Sequence, residues 1–169
     1  MTTMSQHELD TLFADPYAQR MLSANIPARL AYTGLDGAPR VLPISWGWTG
    51  SELQMWTTPK APKVRALRHD PRVAITLDTN DFPPLVLLIR GTASLDVVDG
   101  VPQGYLDAGH KNIRDDQYDE WVAGVTGLYD QMVTIHVQPT WAKILDFETR
   151  IPSAVEELIR EKQAVDNAR

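Results

Sequence analysis

Apolar positions near the start of the chain recur at helical spacing. Leu9, Leu12 and Phe13 fall on one face and predict a helix, and Met21 and Leu22 extend a second short helix after Asp15-Pro16. At Pro27 the period drops to two. Residues 30–33 and 40–46 alternate as strands around Asp36-Gly37, a pair that supplies the positive φ of a tight hairpin turn. With residues 53–58 beyond the turn Thr49-Gly50-Ser51, they predict a three-stranded meander. Pro59 and Pro62 suit only the lead-in or first turn of a helix, whose apolar face is Val64 and Leu67. Pro71 stops that helix by Asp70.

Strands are predicted over residues 72–77 and 86–95, with Gly91 marking a bulge or a close backbone approach. Residues 99–130 are irregular apart from a helix with Tyr118, Trp121, Val122 and Val125 on one face, started by the exposed acids Asp115 and Asp116. A strand over 132–137 is expected to be interrupted by Pro139 and to resume over 141–147. An amphipathic helix with Leu158 and Ile159 on its apolar side closes the chain. Many strands with short turns and helices at the ends predict a mainly β fold, a small antiparallel barrel with flanking helices. The expected division is a helical segment over 1–26, a barrel over 27–150 and a terminal helix over 151–169.

At 169 residues the chain is long enough to bury a sizeable core without staples. It has no cysteine, which excludes disulfides, thiolate metal sites and cysteine nucleophiles. Sixteen Lys and Arg against 22 Asp and Glu give a net charge of −6, which argues against a general nucleic-acid binder. The opening residues carry neither the basic nor the apolar region of a secretory signal, and the apolar run 85–89 is far too short to span a membrane. A cytoplasmic protein is expected. His7, His69, His110 and His136 are scattered, without the spacing of metal ligands, and Ser45 lacks the glycines of a nucleophile elbow.

One segment carries candidate chemistry: Thr57-Thr58-Pro59-Lys60-Ala61-Pro62-Lys63-Val64-Arg65 joins a strand end to a helix start. Free backbone N–H groups, two hydroxyls and the ammonium groups of Lys60 and Lys63 can converge there on an anion such as a phosphate. The alternative reading makes Lys60, Lys63, Arg65 and Arg68 the solvated face of a short helix. Tyr105, His110 and Lys111, in the irregular region, are candidates to reach over a pocket. Of the tryptophans, Trp46 and Trp48 share one strand face, where core packing is the expected role.

Over residues 27–147 the chain resembles the flavin-binding split β-barrel superfamily, which includes pyridoxamine 5′-phosphate oxidase and the flavin- or deazaflavin-dependent oxidoreductases. The likeness rests on the stretches 30–46, 57–73, Ile89-Arg90-Gly91-Thr92-Ala93 and 135–143, in this order and at these spacings. It implies a homodimer of split barrels with cofactors at the subunit interface, FMN or the deazaflavin coenzyme F420, and hydride transfer to or from a small organic substrate. A carrier that binds the cofactor without turnover is the alternative. Pro43, Ile44, Ser45 and Trp46 would border the cofactor ring, and Lys63 would meet its phosphate beside Thr57, Thr58 and Lys60. Arg40 matches an arginine of the oxidase branch, and Arg65 or Arg68 suits the acidic tail of the deazaflavin coenzyme. Ser45 and Pro62 stand where the oxidase branch carries basic residues, which favours the broader oxidoreductase branch.

Overall fold

Alternating side chains set the architecture. In β5 (Arg72–Asp78) every second residue, Val73, Ile75 and Leu77, is buried, and the same alternation runs through β6 (Val86–Asp99). The computed structural model describes residues 3–167. Its remaining strands are β1 (Ala28–Thr33), β2 (Pro39–Ile44), β3 (Trp46–Trp48), β4 (Leu53–Thr57) and β7 (Gln131–Leu145). All pairings are antiparallel, in one sheet of order β2-β1-β5-β6-β7-β4-β3.

The two outermost strands, β2 and β3, are joined by a single residue, Ser45. Edges of a seven-stranded sheet can be one residue apart only if the sheet curls round on itself. The expected antiparallel barrel is therefore present, as a curled sheet. Leu30, Leu53, Met55, Leu77, Leu87, Ile135 and Val137 fill its interior.

Among the described residues six helices flank the sheet: α1 (Gln6–Phe13), α2 (Pro16–Ser23), α3 (Pro62–His69), α4 (Gln103–His110), α5 (Asp115–Leu128) and α6 (Ser153–Asn167). Ser5 and Glu8 form a capping box at α1, and Asp15 caps α2 through the Tyr17 N–H. Leu9, Phe13, Met21 and Leu22 from these helices join the barrel core, with Phe13 packed 4.9 Å from the Trp48 ring. Arg150 reaches back to Asp15 at 2.6 Å and ties the chain after β7 to the same helices. No helix among the described residues is long and apolar enough to cross a membrane.

Three expectations are corrected. The strand predicted over 40–46 is two strands, because Ser45 carries the chain from one sheet edge to the other. The meander is therefore two separate hairpins, β1–β2 and β3–β4, and β4 pairs with β7 rather than β2. Pro139 does not interrupt β7. It lies opposite Gly91 at a register shift, where the ladder is already broken and its missing N–H costs nothing. Gly91 marks both bulge and close approach: a Cβ there would meet the Gln138 carbonyl and stand 2.8 Å from Val137 Cγ1. The irregular region contains an unforeseen helix, α4, before the expected α5. The apolar side of α6 stays largely exposed: Val155, Leu158 and Ile159 are each at least 41% exposed.

Candidate functional site

The curled sheet does not close fully. Among the described residues β2 pairs only with β1, and β3 only with β4. The β3–β4 register sets Trp46 against Met55; carried two residues further, it would set Ile44 against Thr57. No such ladder forms, so a seam opens there. One lip is residues 43–46 and the other is the end of β4 with the turn into α3.

Parity along the first lip divides the four predicted residues. Ile44 and Trp46 are 9% and 7% exposed and point into the core. Trp46 is fixed further by its indole N–H, which donates to the Ile26 carbonyl at 2.8 Å. Pro43 and Ser45 are exposed. This lip therefore offers backbone and the Ser45 hydroxyl, held by two anchored side chains.

The second lip is positively charged. Residues 57–69 contain Lys60, Lys63, Arg65 and Arg68 and no carboxylate, in a chain that is acidic overall. Pro62 occupies the first turn of α3, and Ala61 at its N-cap offers no capping side chain, so the positive end of the helix dipole is not offset by protein. Val64, Ala66 and Leu67 seat the helix on the barrel. Lys63 turns inward and donates from Nζ to Thr57 Oγ1 at 3.1 Å. No carboxylate among the described residues pairs with it, and burial pushes its pKa below the ordinary lysine value. Thr58 is half-buried beside it, whereas Lys60 and Arg65 are exposed.

Arg40 stands apart. Its guanidinium is engaged by Asp36 at 2.6 Å, and it lines a cleft of about 630 Å³ on the outer sheet face, with Arg72, Arg90 and Trp141. Another cleft, of about 380 Å³, begins at Ser45 and Trp46 and runs under α4 and α5. Tyr105 and Lys111 line it as anticipated, while His110 lies against Tyr118 instead. Asn25, Asn112 and Trp121 also line this cleft; nothing in the local sequence marks the two asparagines, and Trp121 is foreseen only as part of a helix face. His136 lies between two carboxylates, Nδ1 at 2.8 Å from Glu52 and Nε2 at 3.2 Å from Asp96.

Taken together, the curled sheet with its open seam defines a split β-barrel whose second lip is a positively charged corner. Among solved structures the chain is similar to an F420 reductase, at 26% identity and a TM-score of 0.57, covering 74% of this chain and 94% of that one. It is similar also to a protein assigned as a pyridoxamine 5′-phosphate oxidase from Listeria innocua, at 20% identity and a TM-score of 0.58, covering 82% and 98%. The haem storage protein HutZ from Vibrio cholerae is another, at 18% identity and 0.56, covering 78% and 92%. At the level of sequence no family model and no curated protein matches. The chain has the fold of the flavin-binding split β-barrel superfamily, as the resemblance in its sequence implies. The fold alone leaves the ligand open, since a flavin-type enzyme and a haem protein share it.

Proposed function

We propose that the chain is an oxidoreductase that binds FMN or the deazaflavin coenzyme F420 along the seam and moves a hydride to or from a small organic substrate. The observation that carries this reading is Lys63, a half-buried ammonium without a carboxylate partner, on the lip of an open seam at an uncapped, wholly basic helix start. An ammonium in that position lacks a counter-charge, and a phosphate ester supplies one. Likeness to an F420 reductase supports a flavin-type cofactor.

The residues present fit the phosphate of such a cofactor. Lys63, Thr57 and Thr58 would hold it, with the dipole of α3 behind them. Backbone groups of residues 43–46 and the Ser45 hydroxyl would border the ring, and the burial of Ile44 and Trp46 keeps that strand from yielding. When bound, the ring supplies the redox chemistry; the chain's part is to bind it and orient the substrate beside it. Arg40 joins the site only by exchanging Asp36 for the cofactor, and Arg65 meets only a tail that extends over the outer face of α3.

A homodimer belongs to the same proposal. Strand β2 leaves its second edge unpaired and exposes Val41 by 70%, a combination that a second copy would cover. Absorption spectra and fluorescence titration test the reading. Stoichiometric binding of FMN or F420 at micromolar concentration is expected, together with reduction of an acceptor. Failure of both cofactors to bind overturns the proposal, and binding without turnover of any acceptor leaves a carrier in its place.

A further inference from the structure

The cleft beneath α4 and α5 has its own chemistry. Three aromatic side chains line it: the largely buried Trp46, pinned by its bond to Ile26, and Trp121 and Tyr105, whose rings lie 5.6 Å apart. Gly109 keeps Trp121 in place, because a Cβ there would come within 2.6 Å of its Cζ3 atom. Two asparagines set the polar pattern. Asn25 donates its amide to the Lys111 carbonyl at 2.6 Å, and Asn112 donates its own to the Ala108 carbonyl at 2.9 Å. Each amide is thereby oriented on an exposed side chain, and each Oδ1 stays open to a donor from a ligand.

Aromatic side chains beside oriented acceptors define a complement. We infer that this cleft binds a planar one- or two-ring molecule carrying O–H or N–H donors on its edge, and that this molecule is the substrate presented to the seam at Ser45. About 380 Å³ suits a small ring system and is at the lower end for ligand pockets. The word substrate rests on the proposed function; the binding itself does not.

The test uses the full, cofactor-free chain and two probes of the same ring: resorcinol, with two donors, and 1,3-dimethoxybenzene, with none. Binding is read from the indole N–H resonances of Trp46 and Trp121 in an NMR titration. Resorcinol is expected to saturate both signals and to bind more tightly than the dimethoxy compound. Asn112→Ala should weaken resorcinol by about three- to tenfold, as the loss of one hydrogen bond predicts, and leave the other probe unchanged. Gly109→Ala should exclude both probes, with folding checked by thermal melting; if it unfolds, Asn112→Ala alone decides. Equal affinity for the two probes, or an Asn112→Ala chain that binds resorcinol as before, overturns the inference. Cofactor binding is measured separately on the same preparation. Its failure overturns the proposed function without touching this result, and absent resorcinol binding with an intact cofactor site overturns this inference alone.

Discussion

Lys63 Nζ lies 3.1 Å from Thr57 Oγ1, so the last residue of β4 and the second residue of α3 are joined side chain to side chain across the turn. A hydroxyl is a weak partner for an ammonium, and the helix dipole opposes the charge further. The pair is a positive site without a counter-charge among the described residues. Lys63→Ala is therefore expected to weaken cofactor affinity by about ten- to a hundredfold, the value of a charge-assisted contact. Lys63→Met should keep or raise the urea midpoint of the cofactor-free chain, because it removes a half-buried charge. Fluorescence titration and urea unfolding measure the two effects.

The same residue predicts a pH dependence. Burial lowers the Lys63 pKa in the folded chain below its unfolded value, so the unfolded chain holds the proton more tightly. Stability of the cofactor-free protein then rises as pH climbs from the folded value to the unfolded one. Phosphate binding needs the charged form, so cofactor affinity should be flat near neutrality and fall in the alkaline range, at lower pH than an ordinary lysine would give. Affinity measured against pH checks this. In Lys63→Arg the fall should vanish, since a guanidinium stays charged throughout.

Gly91 offers a test of the barrel. A Cβ at this buried position would collide with the Gln138 backbone on the paired strand. Gly91→Ala is expected to cost about 1–3 kcal/mol, the usual range for overpacking, with the change seen as a lower urea midpoint.

Asp146 contributes to stability on the acid side. Its carboxylate accepts the Thr149 hydroxyl at 2.7 Å and the backbone N–H groups of Glu148, Thr149 and Arg150 at 3.0, 2.8 and 2.7 Å. The Thr149 bond first, and then the backbone bonds, hold its pKa well below the usual carboxylate range. Stability from this group is present above the unfolded aspartate value and is lost as pH falls through the folded one. Asp146→Asn should lower the thermal midpoint at neutral pH and flatten its decline in acid. Melting curves across the acid range would show both.

Much of the fold was legible in the residues. Period-two alternation located β1, β5 and the first part of β7, and Asp36-Gly37 located the first hairpin, where Gly37 has φ of 77°. Helix α4 was not legible: Gly104 and Gly109 weaken its propensity, and Ala108 is its single buried residue, so no apolar stripe announces it. Those glycines are explained only across space, since a Cβ on Gly104 would meet Trp56 and one on Gly109 would meet Trp121.

For the candidate site, local sequence determined that hydroxyls, lysines and an uncapped helix start would cluster between residues 57 and 65, because neighbours in the chain are neighbours in a turn. It determined too that Trp46 and Trp48 share one strand face. Only the tertiary structure decided that the two segments form the lips of one seam, that Lys63 turns inward while Lys60 and Arg65 do not, and that Arg40 is held by Asp36. The physical reason is that strand pairing is non-local: which edge β2 leaves open depends on the curl of all seven strands, and no window of sequence contains it.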